Sequence, residues 1–379
     1  MYKDIIDFIR NIYKTDEFIP LHEPRFRGNE KKYINECIDS TFVSSVGKFV
    51  DQFEASVAKF TGAKYAIATV NGTAALHIGL LLSDVQPNDE VITQPLTFVA
   101  TANAISYCNA FPVFIDVDVD TMGLSPEKLS DFLNKNTELI DGKCVNKTTK
   151  RIIKAVVPMH TFGLPARIDE IVLVCKKHHI NVVEDAAESL GSYYKNQHTG
   201  TFGLIGTLSF NGNKTITTGG GGMLITNDET IAKKAKHITT TAKTPHLWDY
   251  NHDITAYNYR LPNLNAALGC AQMESLPEYL KNKQKLAKIY KDFFKNENTI
   301  DFIEPVKNGT SNFWLNAIKF DSLESRNTFL EITNNKGVMT RPIWKLMNTL
   351  PMYSSAQCGN LDNARALENR IVNLPSSVI

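Results

Sequence analysis

Between Tyr65 and Val183 short apolar runs alternate with longer stretches whose apolar positions recur at helical spacing. Ala66–Val70, Val91–Thr93, Phe111–Ile115, Ile152–Val157 and Asn181–Val183 predict strands, and helices are predicted from Thr73, from Val99, from Pro126 and over Ile168–His179. Strands apolar on both faces and separated by helices predict a largely parallel sheet covered on both sides. Ahead of them, residues 28–60 predict two helices around a turn at Thr41–Gly47, with Asn29 capping the first. Further on, Thr207–Phe210 and Met223–Thr226 predict strands flanking a glycine run, and a long helical pattern extends from Pro262 to Phe294. The remainder, with a strand at Trp314–Phe320 and a helix at Arg326–Asn334, has an α+β character. The expected division is a large domain over 1–250 and a small one over 251–379, with the N-terminal helix free to pack on the latter.

Composition narrows the function classes. The 379 residues carry a formal net charge of +1, which argues against a nucleic-acid or membrane-surface binder. Six scattered cysteines form no CxxC and no metal-ligand spacing with histidine, so neither a metal site nor a disulfide framework is expected. No apolar stretch reaches the ~20 residues that span a bilayer, and Met1-Tyr2-Lys3-Asp4 lacks the basic start of a signal peptide. The expectation is a cytoplasmic protein.

In a parallel sheet, ligands collect where strands end. Val70-Asn71-Gly72-Thr73 lies between a strand and a helix, where backbone N–H groups favour a phosphate; an ordinary cap by Asn71 or Thr73 reads the same way. Phe98, in Gln94-Pro95-Leu96-Thr97-Phe98, offers a flat face to a cofactor or fills the core. Asp185, in Val183-Glu184-Asp185-Ala186-Ala187-Glu188, suits a charge-assisted bond to a protonated ring nitrogen, a metal, or a helix cap. Lys214 lies between Ser209 and four glycines, Gly219–Gly222, in an otherwise uncharged stretch. A lysine in low-dielectric surroundings deprotonates more easily, as Schiff-base chemistry near neutral pH requires. The spacing is not that of a P-loop. Phosphate, aromatic ring and aldehyde together point to pyridoxal phosphate.

The order and wording of these segments resemble the DegT/StrS-type sugar aminotransferases, from Phe18 to about Pro375. The matching stretches are Gly72–Leu76, Thr97–Thr101, Phe114–Asp118, His160–Gly163, Glu184–Ser192, Lys214–Gly222 and Asn258–Arg260. The resemblance implies an aspartate-aminotransferase-like large domain of fold type I, with a mainly parallel seven-stranded sheet, and a small α+β C-terminal domain. It implies that Lys214 carries the cofactor and later moves the proton, and that Asp185 keeps the pyridine nitrogen protonated. Phe98 would stack on the ring, Glu188 would lie near its hydroxyl edge, and Gly72, Thr73 and Ser209 would hold the phosphate. Asn258 would reach the phosphate of a neighbouring subunit, making a homodimer with shared sites. Many relatives have Gln or His where this chain has Glu188. Members that dehydrate sugars replace the lysine by histidine, so Lys214 favours transamination.

Phe18–Pro24, Asp39–Gly47, His237–Lys243 and Thr340–Trp344 further resemble the LegC-like enzymes. That implies a UDP-linked 2-acetamido-4-keto-2,6-dideoxyhexose as substrate, L-glutamate as donor and a place in legionaminic acid-like surface-glycan synthesis. Alternatives are a GDP-perosamine- or bacillosamine-type keto sugar, or a regulatory relative that binds cofactor without turnover. Lys243, Arg260, Arg341 and His160 are candidate substrate contacts, each of which also reads as an ordinary salt bridge or core residue.

Overall fold

The computed structural model describes residues 2–379. Its central sheet contains β1 (Tyr65–Thr69), β2 (Glu90–Thr93), β3 (Phe111–Phe114), β4 (Ile153–Val157), β5 (Asn181–Asp185), β6 (Ile205–Ser209) and β7 (Gly222–Thr226). Their spatial order is β1-β7-β6-β5-β4-β2-β3. The neighbours from β6 to β3 pair in parallel, whereas β7 runs antiparallel to both β1 and β6. That reversal has a local cause: the glycine-rich turn after β6 returns the chain directly alongside it, with no room for a crossover helix.

Helices α1 (Tyr2–Tyr13), α2 (Glu30–Asp39) and α3 (Lys48–Thr61) precede the sheet. Those that follow within the large domain are α4 (Gly72–Leu82), α5 (Val99–Tyr107), α6 (Pro126–Asn136), α7 (Ile168–Lys177) and α8 (Glu229–Thr239). The sheet buries one face under α4 and α5, where Leu76, Ile78 and Leu80 pack on Val91, Val157 and Val183. Its other face meets α6 and α7 through Leu129, Leu133, Ile168 and Ile171. Helix α8 closes an antiparallel corner that the strand pattern does not reveal.

Helix α9 (Asn263–Phe294) serves both halves of the molecule. Its first half, through Ala266, Met273 and Leu276, packs on Phe49 and Phe53 of α3. Its second half, through Leu286, Tyr290 and Phe294, packs with Ile5, Ile6 and Ile9 of α1 on the small domain. That domain is an antiparallel sheet of β8 (Ile300–Phe302), β9 (Asn316–Phe320), β10 (Arg341–Pro342) and β11 (Ile371–Leu374), in the order β8-β9-β11-β10. Helices α10 (Leu323–Asn335) and α11 (Asp362–Glu368) complete it.

Asn29 does not cap α2: its side chain donates instead to Glu274 (2.8 Å), and Glu30 accepts from the Gly28 N–H (2.8 Å). The turn before α3 is held from far along the chain, where buried Asn263 accepts from the Phe49 N–H (3.1 Å) and donates to the Phe42 carbonyl (2.6 Å). Among the described residues no helix is long and apolar enough to cross a membrane.

Candidate active site

The carboxyl ends of β1, β5 and β6, with the loop after β2, converge on one region. At one end of it two expected residues pack directly together. A Cβ on Gly72 would lie 2.9 Å from the Ser209 Cβ, so only glycine lets α4 begin this close to β6. Asn71 caps α4 by accepting from the Ala74 N–H (2.8 Å), leaving the Gly72 and Thr73 N–H groups without intrahelical acceptors. The cap expected of Asn71 is present, and it leaves those two N–H groups available to an anion.

Asp185, 3% exposed, ends β5. One of its oxygens accepts from the Thr101 hydroxyl (2.7 Å), which the Thr97 hydroxyl backs at 2.9 Å, and the other accepts from the Ala187 N–H (3.2 Å). Burial raises its pKa above the ordinary aspartate value, opposed by these hydrogen bonds and by the charge of Lys214. The residues after it form turns rather than a helix, so helix capping is not its role. Among the described residues no cluster of metal-ligating side chains occurs. A buried carboxylate held only by neutral donors suits a cationic ring N–H.

Lys214 Nζ lies 3.2 Å from Glu188 Oε1 and 3.9 Å from the centroid of the Trp314 ring. The Trp314 indole N–H donates to the Asn213 carbonyl (2.6 Å), which locks the ring against the lysine loop. The other Glu188 oxygen accepts from the Phe162 N–H (2.9 Å). Phe162 holds a left-handed backbone (φ 57°), a strained state for a non-glycine residue that this bond helps to offset. Phe98 is half-exposed, with its ring centroid 6.5 Å from that of Trp344, so it is not a core residue and its face is open for stacking. Anion cradle, stacking face, buried carboxylate and lysine together fit pyridoxal phosphate.

Burial raises Glu188 to about 7, against the opposing pull of Lys214 and the Phe162 N–H. The native state therefore keeps a proton that the unfolded chain loses above about pH 4.5, so this group's stabilising contribution falls as pH rises from 4.5 to 7. The difference amounts to ~3 kcal/mol at about 1.4 kcal/mol per pK unit. In protein freed of cofactor, Glu188→Gln is expected to flatten the stability profile over that window. Urea unfolding at pH 5, 6 and 7 measures it, and an unchanged slope contradicts the assignment.

The expected substrate residues scatter. His160 is fully buried: Nε2 meets Glu184 (3.0 Å) and Nδ1 accepts from the Ala166 N–H (3.2 Å), so neither ring nitrogen is free for a substrate. It joins a buried network around Glu184, which also accepts from the Gly200, Phe202 and Gly203 N–H groups. Lys243 lies on a projecting arm with its ammonium 4.0 Å from the Tyr250 ring centroid. Arg260 Nε donates to exposed Asn258 (3.0 Å), and the Val70 N–H donates to the Tyr259 carbonyl (2.8 Å), setting this segment beside the end of β1. Arg341 lines a separate cavity of the small domain that Asn213 and Trp314 also line.

Two contributors are not visible in the sequence pattern. Thr101 stands one helical turn after Thr97, a spacing that pairs the two hydroxyls, but no local signal points them at Asp185. Trp314 is a lone tryptophan before a small-domain strand, and its contact with Lys214 joins segments far apart in the chain.

The model of the DegT/DnrJ/EryC1/StrS aminotransferase family matches residues 24–378. GDP-perosamine synthase of Escherichia coli O157:H7 is 38% identical over 361 residues, 95% of this chain and 93% of that protein. The protein EpsN of Bacillus subtilis (strain 168), described as a putative pyridoxal phosphate-dependent aminotransferase, is 38% identical over 89% of this chain and 84% of its own. The solved aminotransferase TlmJ of Streptoalloteichus hindustanus superposes with a TM-score of 0.86 at 24% identity, over 95% of this chain and 93% of its own.

Proposed function

We propose, from the premise that this chain belongs to the DegT/DnrJ/EryC1/StrS family of pyridoxal phosphate-dependent aminotransferases, that it moves the amino group of L-glutamate onto the 4-keto carbon of a nucleotide-linked 6-deoxyhexose. The observation that carries this reading is the presence, in one fold, of a Lys214 held against Glu188 and a buried Asp185 that the charge of Lys214 also reaches. The intact pair speaks against a regulatory relative that binds cofactor without turnover, and an activity assay with glutamate separates the two. The cofactor, when bound, supplies an electron sink for the carbanion left when the substrate α-proton departs. Lys214 Nζ takes and returns that proton. Trp314 shields the lysine on one side, its ring centroid 3.9 Å from Nζ, while Glu188, titrating near neutrality, accepts or releases a proton beside it. Thr101 keeps Asp185 aimed.

Two nucleotide sugars compete. The LegC-like segments favour the UDP-linked 2-acetamido-4-keto-2,6-dideoxyhexose and legionaminic acid-like glycan synthesis. The 38% identity to GDP-perosamine synthase favours a GDP-linked 4-keto-6-deoxy sugar. Incubation with glutamate and each compound separately, followed by mass analysis of the sugar nucleotide and assay of 2-oxoglutarate, decides between them. Failure to aminate either one refutes the 4-keto assignment.

A homodimer with shared sites is part of the proposal. It is supported by the arm between Lys243 and Ile254, where the large apolar side chains of Leu247 and Trp248 are 92% and 77% exposed, more than an isolated chain usually leaves to water. In the dimer, Asn258 would serve the partner's phosphate cradle. Mixing inactive Lys214→Ala with a variant inactivated at Asn258 is then expected to restore part of the activity, since a hybrid dimer holds one intact site. No recovery despite demonstrated subunit exchange places Asn258 in its own subunit's site.

A further inference from the structure

A cavity of about 400 Å³ opens between the N-terminal segment at Leu21, strand β10 and the loop before β9. It adjoins the lysine site, because Asn213 and Trp314 line it and the Trp314 ring also underlies Lys214. Its charge is lopsided: Arg326, Arg341 and Lys345 face a single carboxylate, Glu368. Glu368 is already engaged, lying 3.5 Å from Lys345 and accepting from the Leu346 N–H (3.3 Å). Arg326 is engaged as well, donating to Asn327 Oδ1 (2.7 Å) and to the Glu368 carbonyl.

Two donors remain unspent. Arg341 uses Nη1 for Asn334 (3.0 Å) and the Thr340 carbonyl (3.1 Å), and its Nε and Nη2 have no partner among the described residues. Asn373, 3% exposed and part of the cavity wall, has a buried Nδ2 with no acceptor. A buried amide N–H without an acceptor is costly, and beside an arginine fork it calls for an anionic oxygen ligand.

We propose that this cavity is the recognition site for the distal carboxylate of a dicarboxylic amino donor, bound by Arg341 and Asn373. The inference rests on the reading of this chain as an aminotransferase that draws nitrogen from an amino acid. Nitrogen is exchanged at Lys214. The donor's α-carboxylate, two bonds from that nitrogen, stays beside the lysine, and the carboxylate that extends past Trp314 is the one at the end of the side chain. A diphosphate is also anionic, but a nucleotide-linked hexose outgrows a cavity near the lower end of the ~300–1,000 Å³ common for small-molecule pockets.

Glutarate carries both carboxylates' spacing without an amino group and cannot react, so its binding to cofactor-loaded enzyme isolates the subsite. Calorimetry is expected to show glutarate binding that weakens about 10-fold or more in Arg341→Gln and in Asn373→Ala. Arg341→Lys, which keeps the charge, should retain part of it and serves as the check should Arg341→Gln fail to fold. In steady state the same variants are expected to raise KM for glutamate and to lose preference for glutamate over alanine, with KM for the keto sugar unchanged. Glutarate affinity insensitive to all these substitutions, or a rise confined to the keto-sugar KM, overturns the assignment. A wild-type enzyme that transfers nitrogen from no amino acid at all would instead defeat the aminotransferase reading beneath it.

Discussion

Replacing Lys214 by alanine is expected to lower turnover by ~10⁴-fold or more, the scale of removing both a nucleophile and a proton-transfer group. The expectation rests on position. Lys214 Nζ is held between the Glu188 carboxyl and the Trp314 ring, five residues after Ser209, against which Gly72 packs. Borohydride treatment of the wild-type holoenzyme, followed by peptide mapping, should locate the cofactor on the peptide containing Lys214. In Lys214→Ala the cofactor should still bind through the phosphate cradle, without covalent attachment. A label on any other lysine would refute this site.

The second large effect concerns Asp185. Asp185→Asn preserves shape and part of the hydrogen bonding to Thr101 and Ala187 but removes the charge that the proposed function sets opposite the ring nitrogen. Cofactor should still bind, while proton removal from bound glutamate slows by ~10²–10⁴-fold, or roughly 3–5 kcal/mol of transition-state stabilisation. Single-turnover mixing with glutamate, followed through the visible absorbance of the cofactor, reads the step directly. If Asp185 serves only to brace the turn through the Ala187 N–H, asparagine does that equally well and the rate stays near wild type. Thr101→Val adds a graded test. It deletes one neutral hydrogen bond to the same carboxylate, so a loss of ~10-fold is expected, with cofactor affinity nearly intact.

Lys214 and Asp185 are legible in the amino-acid sequence because their chemistry is local. Lys214 stands in an uncharged, glycine-rich loop, and Asp185 ends an apolar strand, where a charge is tolerated only for a reason. The strand and helix alternation from Tyr65 to Val183 is legible for a similar reason: burial on both faces of a parallel sheet writes continuous apolar runs into the chain. His160 marks where local pattern stops being informative. Its position after a strand resembles that of a site residue, yet one ring nitrogen is taken by Glu184 and the other by Ala166, which lie 24 and 6 positions away in sequence. Asn29 departs from its expected capping role likewise, because Glu274 on α9 competes for its side chain.

The amino-acid sequence by itself determined the strand and helix alternation of the parallel part of the sheet, the lysine, carboxylate and glycine candidates, and the cofactor class. Those properties depend on neighbours a few residues apart, whose geometry is dictated by backbone sterics and strand-end position. Only the tertiary structure decided that Thr101 braces Asp185, that Trp314 underlies Lys214, that Glu188 is buried enough to titrate near neutrality, and that Asn373 leaves an amide unpaired beside Arg341. Each of these is a contact or a desolvation between segments far apart in the chain. Their energies come from what folding removes from water rather than from any local pattern.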